Sequence, residues 1–198
     1  MAVSWQTTDD TTTTVVQYGI SPDDLTMSAE GTSSTYYETF DHHTVLEDLD
    51  ADTRYYYRVG DGETYSDVFE FKTSPKGGDV VNFAVWGDLG LVNGDSTREY
   101  LTENKDDFDL IFHLGDVGYA DDSFLHLGCT VRFCYEEKFN EYMDSMEPIV
   151  SEIPYMVMPG NHEADCHDPA CLASEEKRDK LSNFTGKGGL ERLERSDS

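Results

Sequence analysis

Hydrophobic and polar positions alternate in short bursts over the first third of the chain. Val3–Trp5, Thr12–Tyr18, Ser34–Phe40, Thr53–Val59 and Asp67–Lys72 are rich in β-branched and aromatic residues. Turn chemistry such as Ser21-Pro22-Asp23-Asp24 and Gly60-Asp61-Gly62 separates them. Strands at this spacing with such turns predict a small all-β sandwich over residues 1–74. In Arg54-Tyr55-Tyr56-Tyr57-Arg58-Val59 the period of two puts Tyr55, Tyr57 and Val59 on one face.

The pattern changes after Ser74-Pro75-Lys76-Gly77-Gly78, which reads as a linker over residues 75–79. Three nearly continuous apolar runs follow: Val80–Trp86, Leu110–Leu114 and Pro154–Met158. Such runs predict strands buried on both faces. Helix patterns lie between them, at Ser96–Asn104 and Tyr135–Val150. The order β-α-β-α-β predicts a parallel sheet covered by helices. This α/β part is taken as residues 80–185, with an irregular tail at 186–198.

Charge narrows the roles open to such a chain. Across 198 residues, 41 acids oppose 14 bases, for a formal net charge of −27. That balance repels phosphate backbones and anionic membrane surfaces, so neither nucleic acid nor membrane is an expected partner. Aromatic residues make up 12% of the chain, which argues against wholesale disorder. No apolar run reaches the length of a transmembrane helix, and Met1–Thr7 shows no signal-peptide pattern. The cysteines form two C-x4-C pairs, Cys129/Cys134 and Cys166/Cys171. Disulfides, free thiols and a metal site are all open for them, and disulfides fit an even count best. With the glycosylation sequon at Asn183, they lean towards a secretory compartment.

Each apolar run of the second part ends in a polar cluster. These are Gly87-Asp88-Leu89-Gly90, Gly115-Asp116-Val117-Gly118-Tyr119 and Gly160-Asn161-His162-Glu163. In open α/β sheets, sites form at the carboxyl ends of strands. Asp88, Asp116, Tyr119, Asn161 and His162 are therefore expected at one edge. The carboxylates and the amide are oxygen ligands suited to hard cations. One carboxylate can bridge two metal ions about 3.5–4 Å apart, the separation used for in-line phosphoryl displacement. A phenolate from Tyr119 favours a strongly Lewis-acidic ion such as Fe(III). Any one cluster alone is an ordinary strand-to-helix turn with a capping side chain. Three in order at successive strand ends are not.

These residues resemble the signature of the purple acid phosphatases, within the calcineurin-like metallophosphoesterases: G-D-x-G, G-D-x-x-Y, G-N-H-[D/E], then V-x-x-H and G-H-x-H. The stretches Arg54–Asp61 and Ser66–Thr73 resemble that family's fibronectin type III-like N-terminal domain, and the likeness extends over about residues 1–185. The resemblance implies a two-domain architecture: a fibronectin type III-like sandwich, then the first part of an α/β metallophosphoesterase domain of αββα type. It implies that Asp88 and Tyr119 bind Fe(III), that Asp116 bridges, and that Asn161 binds a divalent ion (Zn, Mn or Fe(II)). His162 would act on the phosphate or its leaving group. Gly90 with Tyr119 matches the purple, Fe(III)-tyrosinate type. The implied activity is hydrolysis of phosphate monoesters as an acid phosphatase. The implied partners are small phosphate esters and a second copy of the chain as a homodimer, and the implied location is secreted or extracellular.

Nothing after Glu163 reads V-x-x-H or G-H-x-H, and His167 is the one histidine downstream of His162. The three histidine ligands of those motifs thus have no counterpart. The pattern is that expected of a C-terminally truncated product whose start also lacks a signal peptide. Two alternatives stand beside the phosphatase: a catalytically inactive truncated product or binding module, and a phosphodiesterase or nucleotide pyrophosphatase on the same scaffold. Of the other histidines, His42 and His43 read as packing or surface groups, and His113 as a hydrogen-bonded core residue or a group supporting a ligand. His126 lies in the loop after Tyr119, where a substrate contact is the alternative to a plain loop residue. Glu163 reads as an orienting residue rather than a ligand.

Overall fold

A computed structural model describes residues 1–11, 13–36, 38–125, 129, 134–164 and 169. The readings placed on His126, Cys166, His167, Cys171 and Asn183 lie outside the described residues. The chain divides into two units. The first comprises Met1–Asn82 with Asp107–Leu110 and Ser151–Pro154, and the second Phe83–Asp106, Ile111–Val150 and Tyr155–Ser198.

The first unit contains seven strands: β1 (Ala2–Thr7), β2 (Val15–Gly19), β3 (Met27–Glu30), β4 (Thr32–Tyr36), β5 (Thr39–Val45), β6 (Arg54–Gly60) and β7 (Phe69–Lys72). They form two sheets with antiparallel pairing, ordered β1-β5-β4 and β3-β2-β6-β7. Inward-facing Val3, Val16, Tyr18, Leu46, Tyr55, Tyr57 and Phe71 make the core. Tyr55 and Tyr57 are on its inner side as the alternation of β6 predicts, with Val59 packed against them. Tyr55 stacks on Phe71 with ring centroids 5.7 Å apart. Such aromatic pairs add about 0.5–1.5 kcal/mol beyond area burial.

Three details differ from the sequence reading. The stretch Ser34–Phe40 is not one strand: it holds the end of β4 and the start of β5, which pair with each other. The strand β3, Met-Ser-Ala-Glu, carries no strong β-former signal and exists through its pairing with β2. β5 was also obscured, because its inward face is polar: His42 and Thr44 are each 1% exposed. His42 holds its place by hydrogen bonds rather than by apolar contact. Its Nε2 lies 2.9 Å from Thr7 Oγ1 and its Nδ1 lies 2.9 Å from Thr14 Oγ1. The Thr7 hydroxyl already donates to the Asp9 carbonyl, so it accepts from Nε2–H and Thr14 donates to Nδ1. Trp5 stacks on the ring at 5.0 Å. Burial lowers the pKa of His42 against the opposing charges of Asp41 and Asp10, which keeps this neutral tautomer in place.

The second unit carries β8 (Phe83–Trp86), α1 (Asp95–Glu103), β9 (Leu110–His113), α2 (Tyr135–Val150), β10 (Tyr155–Val157) and a single turn α3 (Asn161–Ala164). Its sheet runs β10-β9-β8, with β9 and β10 parallel across the α2 connection. On α2, Tyr135, Tyr142, Met146 and Ile149 recur at helical spacing and are buried. Each contributes about 1.5–3 kcal/mol of hydrophobic stabilisation. Cys129 and Cys134 are joined in a disulfide. The strands are not covered on both faces among the described residues, contrary to the sequence expectation. Phe83, Val85 and Met156 are 54%, 49% and 46% exposed, while Ile111 and His113 on the other face are fully buried. Apolar side chains on both faces hide this alternation in the sequence. No helix among the described residues is long and apolar enough to cross a membrane.

His113 lies under α2, with Nδ1 2.6 Å from Tyr155 Oη. Burial pushes its pKa down to about 4, although the Asp116 backbone and the charges of Asp88 and Asp116 pull upward. The unfolded chain protonates this group near pH 6.5, as histidines ordinarily do. Between pH 6.5 and about 4 the unfolded state therefore binds more protons. The stabilisation is complete above that window and is lost as pH falls through it. Denaturation followed by Trp86 fluorescence in a Trp5→Phe background is expected to show about 2 kcal/mol less stability at pH 4.5 than at pH 7. His113→Gln should shrink this difference, and an equal difference in both proteins excludes His113 as its source.

Candidate metal centre

The three polar clusters converge at the carboxyl ends of β8, β9 and β10, in a parallel sheet whose loops are stitched together by backbone hydrogen bonds. Leu114 N donates to the Trp86 carbonyl at 2.6 Å, Asp88 N to Gly115 at 3.2 Å, and Gly90 N to Val117 at 3.0 Å. Met158 N donates to His113 at 3.1 Å on the other side. Gly115 and Gly160 allow the closest approach. Gly115 has φ +84°, and a Cβ on it would lie 2.8 Å from the Gly160 Cα.

Three proposed ligands pay for this geometry in backbone strain. Asp88, Asp116 and Tyr119 have φ of 56°, 50° and 51°, a region that L-residues with side chains seldom adopt. Such conformations cost on the order of 1–3 kcal/mol each and cluster at functional sites. The loop after β8 is braced by Arg98 on α1, a buried guanidinium that donates to the Gly90 and Leu91 carbonyls at 2.8 and 2.9 Å and to Asp95 Oδ1 at 2.6 Å.

Asp88 and Tyr119 meet directly: Tyr119 Oη donates to Asp88 Oδ1 at 2.6 Å. Burial, then this bond and the charges of Asp88, Asp116 and Glu163, raise the pKa of the phenol well above its ordinary value. Asp116 Oδ1 accepts the His162 amide at 2.9 Å, which ties the second cluster to the third. The rings of Tyr119 and His162 are 4.2 Å apart between centroids. Asn161 opens α3 and is exposed, one residue from the His162 amide that Asp116 holds. Its placement among the others rests on the backbone, and no side-chain bond brings it to Asp88 or Tyr119.

Two further carboxylates support these residues, Asp121, which the sequence reading did not single out, and Glu163, which it took as an orienting residue. Asp121 is fully buried and sets both oxygens 3.0 Å from His162 Nδ1. Burial of the ring lowers the pKa of His162, but the hydrogen bond and charge of Asp121, with Asp122 and Asp116, outweigh it and leave the pKa raised. Asp121, Asp122 and His162 bring ligand-type atoms within 4.8 Å of one another. We read this cluster as the support of His162, because Asp121 is spent on the ring nitrogen. Glu163, 4% exposed, accepts the backbone amides of Asp116, Val117 and Gly160. Ala120-Asp121-Asp122 looks like a solvated acidic turn in the sequence, and the one signal for Asp121 was its place two residues after Tyr119.

The donor set fits a hard metal ion. It is all oxygen, and Asp88 and Tyr119 stand at a distance that one ion can span in place of a proton. It also sits among the carboxylates of Asp116, Asp121, Asp122 and Glu163.

The comparisons agree with that chemistry. Residues 81–194 match the family model described as calcineurin-like phosphoesterase, and the chain belongs to that family. Residues 1–73 match the N-terminal domain of purple acid phosphatases, which places the chain in that branch. It is 32% identical to acid phosphatase A of Cryphonectria parasitica, over 88% of this chain and 41% of the relative. It is 35% identical to purple acid phosphatase 18 of Arabidopsis thaliana, over 83% of this chain and 35% of the relative. A protein called probable inactive purple acid phosphatase 27, from the same plant, is 31% identical over 65% of this chain and 22% of the relative. The chain thus spans about two fifths or less of the length of these curated relatives.

Proposed function

We propose that this chain provides the first ligands of a binuclear metal centre that hydrolyses phosphate monoesters. Asp88 and Tyr119 hold Fe(III), Asp116 bridges to a second ion, and Asn161 holds that divalent ion, Zn, Mn or Fe(II). When bound, the metal ions supply Lewis acidity that neutralises charge on the phosphoryl group. The protein's own share is positioning. Asp116 is fixed by the His162 amide, and Asp121 fixes the His162 imidazole by its Nδ1. Held this way, His162 is placed to donate a hydrogen bond to the phosphate or a proton to its leaving group. The observation that carries the reading is the 2.6 Å pairing of Asp88 with Tyr119 at the ends of two strands. The sandwich, residues 1–74, is taken as a separate domain, with 75–79 as linker and 80–185 as the metal-binding part. A secreted or extracellular location is proposed on the disulfide and the sequon.

One observation favours a second, non-catalytic reading: a relative of comparable identity bears a name that calls it inactive. The test is hydrolysis of p-nitrophenyl phosphate and of its bis-ester at acid pH, by the chain loaded with iron and zinc. Turnover of the monoester, abolished by chelation, is the expected result. No metal-dependent turnover supports the binding-module reading. Faster turnover of the bis-ester moves the assignment to a phosphodiesterase.

A further inference from the structure

Two carboxylates join the second and third loops in opposite senses. Asp116, after β9, accepts the His162 amide on Oδ1 at 2.9 Å. Glu163, in the turn after β10, reaches back. Its Oε2 accepts the amides of Asp116 at 2.9 Å and Gly160 at 2.8 Å, and its Oε1 accepts that of Val117 at 2.8 Å. Each loop therefore gives one acid side chain to the other's backbone. Three amide donors converging on a buried point need a group that only accepts, and an ionised carboxylate is that group. Hydrogen bonds to a charged acceptor are about twice as strong as neutral ones.

We infer that Glu163 is a positioning residue of the metal centre. It fixes the separation of Asp116 and Asn161 through three amides, with both of its oxygens turned to the backbone. Asn161 follows Gly160, whose amide Glu163 holds, so the clamp sets where the amide ligand begins. Gln in its place brings a donor NH2 against an amide whichever way it is turned, since both oxygens are in use. Asp keeps the charge but is one methylene short. The inference rests on the reading of Asp116 and Asn161 as ligands.

The test uses the full 198-residue chain, by amide hydrogen exchange and by calorimetric titration with zinc. In Glu163→Gln, the amides of Asp116, Val117 and Gly160 are expected to exchange about tenfold faster or more. Those of Ile111–His113 on β9 should keep their protection, and zinc affinity should fall about tenfold. Glu163→Asp is expected to show the same pattern, and it carries the test if the Gln variant does not fold. Zinc affinity within about threefold of wild type, with the three amides released, overturns the inference. So does loss of protection along the whole second unit in both variants, which would make Glu163 a residue of the fold alone. An Asp116→Asn chain that binds zinc as tightly as wild type instead sinks the ligand reading, whatever the exchange at Glu163 shows.

Discussion

Asp116→Asn is expected to lower the affinity of the chain for zinc or iron(III) by a hundredfold or more, with the sandwich unchanged. Asp116 is tied twice to the loop after β10. Its own amide is held by Glu163, and its Oδ1 accepts from His162. The substitution preserves shape and removes a charge. A unit charge about 4 Å from a cation contributes about 4 kcal/mol at an effective dielectric of 20. Two ions sharing that carboxylate would both feel the loss. Asparagine can keep its Oδ1 on the His162 amide, but its NH2 group then stands where the second carboxylate oxygen was and cannot bind a cation. Calorimetry gives the affinity, and exchange protection of β2 and β6 checks that the sandwich is intact. A loss smaller than about tenfold would mean that Asp116 shapes the loop and does not bind the metal.

Tyr119→Phe is the second large effect and is nearly all-or-none. The wild-type chain is expected to develop a visible phenolate-to-iron charge-transfer band on loading with Fe(III), and the variant to stay colourless. The phenol in this structure holds its proton tightly, through burial and its bond to Asp88 Oδ1. A hard trivalent ion is the kind of partner that can displace that proton. Loading should therefore release one more proton from the wild type than from the variant, measured by pH-stat titration. Phenylalanine has no oxygen to offer and removes the donor from Asp88 as well. A band that persists in the variant would place the colour on another residue and remove Tyr119 from the ligand set.

Much of the second unit was legible because its punctuation is strong. Tyr135–Val150 was readable as a helix to the residue, since its buried face recurs at helical spacing without a break. The three site loops were readable because glycine precedes Asp88, Asp116 and Asn161 at the ends of apolar runs. β5 was not legible, because a strand whose inner residues are His42 and Thr44 has no apolar period to read. Asp121 was not legible for a related reason. Its burial is created by the fold around it, and only the position of the His162 ring turns an ordinary acid into a support. Glu163 was seen as an orienting residue, but its three amide partners come from two loops. Two of them lie more than forty positions away in the chain, and no local pattern encodes them.

The left-handed backbones of Asp88, Asp116 and Tyr119 have an evolutionary consequence. Glycine adopts such angles without steric cost, so at each of these positions the side chain proposed as a ligand is opposed by conformational energy. A lineage selected for the chemistry keeps them. Once that selection lapses, substitutions there are rewarded by stability, and drift should erase the ligands sooner than it erases the core. Descendants of such a protein would outlive their activity as well-folded molecules.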